Sequence, residues 1–245
     1  MSKIIKIRPK KVFIEIENRF PKENVNFIVN IPTSQIGGLT LLESSILVSF
    51  IKLINPKYLF EFGTYMGATS VLLASNTHKS SKIYTLDIDP KEFEKNESSV
   101  DMTKILIDDK ENDNFLRNTF VSDGAKYIKN SSKKIQNKIK TILQNSLDLD
   151  PKKKKFLGKF DFIFIDGGHE YHIVKKDTEN ALMMLKENGI IFWHDYNSNI
   201  HDDVTKFLDE YSKNNKIYHV ENTMIAFMLV GSYDNLVNEK GINNE

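Results

Sequence analysis

The sequence predicts an α/β fold with a mostly parallel, seven-stranded sheet, helices on both of its faces and a closing antiparallel hairpin. Segments with the pattern of buried strands alternate with segments of helical periodicity, which is typical of a parallel sheet connected by helices. The apolar run "FDFIFI" (160–165) carries a single charge, as expected of a strand that is buried on both faces. The last two strand segments, 216–220 and 223–230, are only two residues apart, and so short a connection requires an antiparallel pair.

The first helix of the main domain begins at a recognisable cap. Thr40 is followed three residues later by Glu43, which is the capping-box pattern, and Pro56 ends the apolar helical segment. From there strands and helices alternate, and we expect Gly189 to end the helix that follows the fourth strand. The predicted strands before the hairpin are 57–62, 82–88, 139–143, 160–165 and 190–193, and the predicted helices include 68–76, 174–185 and 204–211.

Three segments fall outside this alternation. Residues 1–38 form a leader that contains a predicted short strand, "KVFIEI" (11–16), and is expected to pack on a main domain of residues 39–231. Residues 91–137 form a polar, lysine-rich insertion with weak helical periodicity, and residues 232–245 form a polar tail that we expect to fray. The length is that of one domain with one sizeable core.

Composition and charge exclude several classes of partner. The chain has 34 basic and 33 acidic residues, and this formal net charge of +1 argues against binding to nucleic acid or to a membrane surface. It contains no cysteine, so any metal site must use His, Asp or Glu. No apolar run approaches the roughly 20 residues of a membrane span, and the basic N-terminus lacks the apolar core of a signal peptide. We therefore expect a soluble, cytoplasmic protein with a small or local partner.

The first strand of the alternation runs into the loop "EFGTYMGATS" (61–70). Gly63 permits a tight turn, and Gly67 permits a close approach of the backbone to a nucleotide-like ligand at the start of the next helix. Tyr65 occupies the position of the second glycine of a dinucleotide fingerprint, which argues against a bound pyrophosphate. Asp87, at the end of the second strand, is the candidate acceptor for both hydroxyls of a ribose.

Polar residues also follow the fourth and fifth strands. Asp166 comes directly after the fourth strand, and His194 and Asp195 come directly after the fifth. Because these strands are expected to be neighbours about 4.8 Å apart, the two aspartates are placed to bind one cation together. An all-oxygen set favours Mg²⁺, whereas imidazole favours Mn²⁺, Fe²⁺ or Zn²⁺. The alternative is a metal-free site in which His194 and Asp195 bind the substrate. On the next helix, Asp177 and Asn180 are expected to be cap or surface residues.

Four motifs, in this order and on these strands, resemble those of class I S-adenosylmethionine-dependent methyltransferases. They are "EFGTYMG", "LDID", "FDFIFIDGGHEYH" and "GIIFWHDY", and the similarity covers residues 38–230. More narrowly, they resemble the methyltransferase 24 family, which includes macrolide-sugar O-methyltransferases. The resemblance implies a Rossmann-like methyltransferase sheet and the methylation of a hydroxyl on a sugar, glycan or natural-product acceptor.

The resemblance also implies roles for individual residues. His169 lies three residues after Asp166, where related catechol-type enzymes have a catalytic lysine, and an imidazole can take up a proton at neutral pH. His169 and Asp166 are therefore the predicted catalytic pair, and a cation such as Mg²⁺ or Mn²⁺ would be held by Asp166, His194 and Asp195. Asn145 stands where the family commonly has an aspartate, so a contact with the adenine amino group becomes an amide contact or is lost. The predicted residues for binding S-adenosylmethionine are Glu61, Gly63, Thr64, Tyr65, Gly67, Asp87, Asn145, Ser146 and Asp166.

Three alternatives stay open at this point. The first is a non-catalytic scaffold that binds S-adenosylmethionine, and the second is an iron-dependent hydroxylase-like relative that uses Asp166, His169 and His194 as a metal triad. The third, an NAD-dependent oxidoreductase, is disfavoured by Tyr65. A homo-oligomer is compatible with the sequence, which does not indicate an oligomeric state.

Overall fold

In the computed structural model, which describes residues 3–29, 36–92 and 100–237, eight strands form one sheet. The order across the sheet is β1-β7-β8-β6-β5-β2-β3-β4, and all neighbouring strands are parallel except β8, which runs antiparallel to β6 and β7. The predicted α/β fold and its closing antiparallel hairpin are confirmed. The strands are β1 (Ile5–Ile7), β2 (Tyr58–Phe62), β3 (Lys82–Asp87), β4 (Ile139–Leu143), β5 (Phe160–Ile165), β6 (Leu185–Trp193), β7 (Tyr218–Val220) and β8 (Ala226–Val230).

Helices cover both faces of this sheet. The capping box that begins α2 is present: Thr40 Oγ1 accepts a hydrogen bond from Glu43 N at 3.2 Å, and Glu43 Oε2 accepts one from Thr40 N at 2.8 Å. The helices of the described residues are α1 (Pro9–Arg19), α2 (Leu41–Ile54), α3 (Ala68–Asn76), α4 (Asp109–Asp123), α5 (Lys126–Asn130), α6 (Lys133–Gln136), α7 (Tyr171–Met184) and α8 (Asp202–Tyr211).

The central strands contribute side chains to two apolar layers. On β5, Phe162 and Phe164 belong to the core cluster that includes α2 and α3, whereas Ile163 and Ile165 belong to the cluster that includes α7 and α8. All four side chains are at most 4% exposed. Because the faces of these strands are buried on both sides, charged side chains are confined to the strand ends, where the loops begin.

The N-terminal leader differs from the prediction. The segment "KVFIEI" is helical and not a strand, because Pro9 occupies a first helical position, which suits its fixed φ, and Val12 and Ile16 share one helical face. Val12 is fully buried, and α1 packs on α2. The leader's strand is instead β1, which pairs in parallel with β7 and makes the eighth strand of the sheet.

The prediction that Gly189 caps a helix is wrong. Helix α7 ends at Met184, and Gly189 lies inside β6, opposite Val230 of β8. The buried face of α7 includes Val174, Ala181 and Met184, whereas Leu182 is 41% exposed. The helix ends where backbone pairing with β5 begins at Leu185, so strand pairing determines the boundary and the glycine does not.

The insertion is more helical than its weak periodicity predicts. It contains α4, α5 and α6, and Asp108 caps the N-terminus of α4, where its side chain accepts a hydrogen bond from Glu111 N at 3.0 Å. Residues 93–99 of the insertion lie outside the described residues. In the C-terminal tail, Val237 is 2% exposed and belongs to the core, so the described part of the tail is packed, and residues 238–245 are not described.

None of the helices in the described ranges is both long and apolar enough to cross a bilayer.

The tight turn after β2 gives a test of the fold. Gly63 has φ +88°, and a Cβ added there would overlap with the backbone oxygen of Asp166. We expect Gly63→Ala to lower the free energy of unfolding by about 3 kcal/mol or more, because it adds both backbone strain and a collision with backbone. Gly158→Ala is the matched control, since Gly158 also has positive φ but nothing within 4 Å of the added Cβ, and we expect a loss of about 1 kcal/mol. Urea denaturation measures both, and equal losses would contradict this account of Gly63.

Candidate functional site

A cavity of about 630 Å³ opens at the carboxyl ends of the central strands. Strand β2 pairs with β3 on one side and with β5 on the other, so the cavity lies where the order of the strands reverses. This is the usual ligand site of an open parallel α/β sheet, and the volume is in the usual range for small-molecule sites. Every site residue that the sequence predicts lines this cavity: Glu61, Gly63, Thr64, Tyr65, Gly67, Asp87, Asn145, Ser146, Asp166, His169, His194 and Asp195.

Asp87 fixes the glycine loop at one side of the cavity. Its Oδ2 accepts hydrogen bonds from Thr64 N and Tyr65 N, both at 2.8 Å, and its Oδ1 accepts one from Ile88 N at 2.8 Å. Burial raises the pKa of Asp87, although the three N–H groups oppose the shift. Both lone pairs of Oδ2 are used, whereas Oδ1 keeps one, so the carboxylate can hold the loop and still accept a hydrogen bond from a ligand.

Glu61, the penultimate residue of β2, is a buried carboxyl group facing the same cavity. Only 1% of the residue is exposed, and Ser70 Oγ donates a hydrogen bond to Glu61 Oε2. Burial raises the pKa of Glu61 to about 8, against the opposing hydrogen bonds of Ser70 and Thr85. The side chain is therefore largely protonated at neutral pH, and a cationic group bound next to it would favour its ionised form.

Asp166, His194 and Asp195 form a cluster at the ends of β5 and β6, as the sequence predicts. His194 Nδ1 lies 3.3 Å from Asp166 Oδ1 and 3.2 Å from Asp195 Oδ2. One ligand atom of each side chain lies within 4.8 Å of one from each of the others. Burial disfavours the charged imidazole, but Asp195 and Asp166 raise the pKa of His194 well above its usual value. Without a metal, the proton on His194 therefore balances these carboxylates.

Glu43 supports this cluster from α2, a role that sequence reasoning missed. Its Oε1 accepts a hydrogen bond from Met224 N at 2.8 Å and lies 3.6 Å from His194 Nε2, which is an ion-pair distance but too long for a hydrogen bond. Burial raises the pKa of Glu43, but the charge on His194 helps to lower it to about 2. The capping-box pattern accounts for one oxygen of Glu43, and only the fold brings the other to the site.

His169 lies between two carboxylates. Its Nδ1 is 3.0 Å from Asp113 Oδ1 on the insertion helix α4, and its Nε2 is 3.4 Å from Asp195 Oδ2. Burial favours the neutral ring, but these two carboxylates raise the pKa of His169 to about 10. In this arrangement His169 is protonated at neutral pH. The structure thus adds Asp113 to the site, a residue that the sequence analysis left within an undeciphered insertion.

Asp177 and Asn180 are not surface residues, which corrects the prediction for both. They are fully buried, and none of their side-chain oxygen or nitrogen atoms has a hydrogen-bond partner within the part of the chain that the structure describes. Burial raises the pKa of Asp177 to about 7; the Ser146 hydroxyl opposes this shift, although it makes no hydrogen bond of normal geometry to Asp177. Asp177 also lines the cavity, so it belongs to the candidate site.

A family model described as a methyltransferase domain matches residues 60–196, which is more than half of the chain. The chain belongs to this family. The resemblance of the four motifs to the methyltransferase 24 family is thereby confirmed. No curated protein is similar enough in sequence to count as a match.

Solved structures share the fold of this methyltransferase domain. The methyltransferase PaMTH1 of Podospora anserina, bound to SAH, is 15% identical with a TM-score of 0.53, and the similarity covers 91% of this chain and 88% of that one. The O-methyltransferase TomG of Streptomyces achromogenes, involved in tomaymycin synthesis and in complex with SAM, is 11% identical with a TM-score of 0.50 over 91% and 90%. Cofactor-bound Rv0187 from MTB is 12% identical with a TM-score of 0.51 over 90% and 89%. At these identities the similarity shows a common fold.

The geometry of the site argues against two of the alternative functions. Tyr65 takes up a left-handed conformation, with φ +45°, where a dinucleotide site requires a glycine, and its ring would lie 3.1 Å from a Cβ added at Gly37. Asp166, His169 and His194 do not form a metal-binding group among the described residues; Asp166 and His194 form one with Asp195 instead. The geometry therefore does not favour an NAD site or the iron triad.

The raised pKa of Glu61 predicts a pH dependence of stability. Because its folded pKa is about 8 and its ordinary value is 4.5, the folded methyltransferase domain keeps a proton that the unfolded chain releases. This contribution is fully present below about pH 4.5 and is lost as the pH rises towards 8. We expect the free energy of unfolding of the natural chain to fall, relative to Glu61→Gln, by about 1.4 kcal/mol per pH unit between about pH 5 and 7.5. Urea denaturation across this range measures the difference, and parallel curves would contradict it.

Proposed function

We propose that the protein is an S-adenosylmethionine-dependent O-methyltransferase that acts on a hydroxyl of a small-molecule or glycan acceptor. One observation carries this proposal: the glycine loop with its two carboxyl groups, Glu61 and Asp87, and the cluster of Asp166, His194 and Asp195 line the same cavity. The first set suits a nucleoside with a cationic tail, and the second suits a reacting hydroxyl. The membership of the methyltransferase-domain family supports the same reaction class.

The residues around the glycine loop fit S-adenosylmethionine. Glu61 is a buried carboxyl group that a cationic ammonium would stabilise as an anion, and Asp87 Oδ1 keeps a lone pair that can accept a hydrogen bond from a ribose hydroxyl. Asn145 and Ser146 line the part of the cavity that follows β4 and would contact the adenine ring. When bound, the cofactor supplies an electrophilic methyl group on a sulfonium, which leaves to the protein the positioning of the nucleophile and the handling of one proton.

The cluster of Asp166, His194 and Asp195 fits a divalent cation. Two carboxylates and one imidazole converge within 4.8 Å, and the imidazole favours Mn²⁺ over Mg²⁺ among the two predicted ions. A bound cation would lower the pKa of an acceptor hydroxyl. Its binding requires His194 to release the proton that now balances the two aspartates, so we expect metal affinity to increase with pH.

The role of His169 as general base stays a prediction, and it depends on the protonation state of the imidazole ring. A base must be neutral to accept a proton, whereas Asp113 and Asp195 hold His169 protonated at neutral pH, with a pKa of about 10. The role therefore requires that the charge of one of these carboxylates be taken up first. In this arrangement His169 Nε2 lies 3.4 Å from Asp195 Oδ2, so the protonated ring forms an ion pair with Asp195.

The proposed acceptor class rests on polar residues that follow β6 and line the cavity. Ser198, Asn199 and His201 line the cavity beside Asp195, and such groups donate and accept hydrogen bonds in the way that a polyhydroxylated acceptor requires. The inclusion of macrolide-sugar O-methyltransferases in the family is in line with a sugar hydroxyl. The protein's environment is expected to be the cytoplasm, where S-adenosylmethionine is available.

Cofactor binding gives the first test. S-adenosylhomocysteine at 100 times its Kd adds about 2.7 kcal/mol of stability and should raise the melting temperature by about 5–10 °C, whereas NAD should not. We expect Asp87→Asn to weaken S-adenosylhomocysteine binding at least about 10-fold, because a charged acceptor is lost. Asp89→Asn is the matched control, since Asp89 lies two residues further on and accepts a hydrogen bond from Lys91 N in the turn. No shift with S-adenosylhomocysteine would refute the proposed function.

The cation gives the second test. After EDTA treatment, Mn²⁺ should restore methyl transfer to a hydroxyl acceptor, and Asp195→Asn and Asp166→Asn should each lower turnover by about 100-fold or more, because a ligand is lost. Asp150→Asn, at an exposed turn, keeps the acceptor that its loop uses and should leave turnover unchanged. Turnover that is insensitive to EDTA and to both variants would show that the site works without metal.

A further inference from the structure

Four side chains from three separate segments converge beside the cavity. Asp109 and Asp113 lie one turn apart on α4 of the insertion, His169 follows β5, and His201 precedes α8. One ligand atom of each lies within 4.8 Å of one from every other. We propose that this group, the insertion cluster, binds a divalent first-row transition ion such as Zn²⁺, and that the bound ion holds α4 in place over the cavity.

The insertion cluster consists of two His–Asp pairs lying side by side. The rings of His169 and His201 are stacked, with centroids 3.6 Å apart and planes at 22°. His169 Nδ1 is 3.0 Å from Asp113 Oδ1, and His201 Nδ1 is 2.6 Å from Asp109 Oδ1. Two nitrogens and two oxygens make a four-ligand set that Zn²⁺ accepts, whereas two imidazoles argue against Mg²⁺ and Ca²⁺. Bonds of about 2.0–2.2 Å require these atoms to move together by about 1 Å, and the stacked rings must tilt so that the in-plane lone pairs of both imidazoles point at the ion.

The surroundings of His169 also match those of a metal ligand. A histidine that binds a metal usually donates its other ring N–H to a carboxylate, which fixes the orientation of the ring. His169 Nε2 lies 3.4 Å from Asp195 Oδ2, so that outer carboxylate is in place when Nδ1 faces the insertion cluster. Coordination through Nδ1 leaves Nε2 as a donor and excludes His169 as general base while the ion is bound. Arg117 lies 3.9 Å from Asp113 Oδ2, whereas His169 faces the other carboxylate oxygen, Oδ1.

An ion in the insertion cluster would connect parts of the chain that are distant in sequence. Helix α4 contributes Asn112, Leu116 and Phe120 to the lining of the cavity, in addition to Asp113. Binding α4 to the loops after β5 and before α8 would therefore hold that wall closed over a bound ligand. This inference goes beyond the proposed function and does not depend on methyl transfer.

Zinc binding by single-residue variants tests the proposal. The full chain is stripped with EDTA and titrated with Zn²⁺ against a chromophoric chelator, and hydrogen exchange of residues 109–123 is followed with and without Zn²⁺. Asp109→Asn preserves the shape of a side chain that is 50% exposed, so the fold should be retained, and His201→Ala is the second variant. We expect each variant to weaken the binding of one equivalent of Zn²⁺ by about 100-fold or more. Each should also remove the slowing of hydrogen exchange that Zn²⁺ causes in α4. Asp166→Asn, in the neighbouring cluster, should weaken only the separate equivalent that this cluster binds and should leave the slowing of exchange in α4 unchanged.

The outcomes separate this site from the proposed catalytic cluster. If Asp109→Asn and His201→Ala bind Zn²⁺ as tightly as the natural chain, the proposal is wrong. If Asp166→Asn instead abolishes all Zn²⁺ binding, the ion lies in the cluster with His194, and the proposal is equally wrong. S-adenosylhomocysteine binding by the stripped chain is the readout of the proposed function, so a failure of one proposal is distinguishable from a failure of the other.

Discussion

Burial of the central sheet on both faces is the constraint on which the site depends. Strands β2, β5 and β6 can carry few polar groups along their length, because each face packs against a helical layer. The polar residues that follow these strands therefore collect at one edge, where the parallel register places the ends of the strands side by side. The glycine loop and the cluster of Asp166, His194 and Asp195 follow different strands, and the sheet brings them to one cavity.

The charges in this cavity are balanced inside the protein. His194 is held protonated between Asp166 and Asp195, and His169 is held protonated between Asp195 and Asp113. Asp195 touches both imidazoles, and burial of an unpaired carboxylate here would cost several kcal/mol. The same arrangement sets two requirements for function: a cation displaces a proton when it binds to either group of ligands, and a histidine can act as a base only after its carboxylates are engaged elsewhere.

Much of the fold was predictable because local signals and burial agree along most of the chain. The capping box at Thr40, the apolar run of β5 and the short connection before β8, predicted as two residues and five residues long in the structure, each specify an element without knowledge of the rest. The prediction was wrong where tertiary pairing decided the outcome: Gly189 lies in a strand because β6 pairs with β5 and β8, and "KVFIEI" is a helix because it follows Pro9 and packs on α2.

The site was predictable to the extent that its residues end strands. Asp87 and Asp166 follow apolar residues directly, and Asp195 follows an apolar run after His194, which is a signal that a sequence carries. Asp113 and His201 come from segments without such a signal, and only the folded chain brings them to His169. Glu43 and Asp177 were missed for a related reason, since the helical pattern indicates their elements but not the direction in which one side chain points.

A crystal structure with bound S-adenosylhomocysteine tests the central claim most directly. The account predicts that the ribose hydroxyls lie within about 3 Å of the Asp87 carboxylate, a hydrogen-bond distance, and that the sulfur faces the cluster of Asp166, His194 and Asp195. A ligand bound away from the glycine loop, or one whose sulfur points away from that cluster, would contradict it.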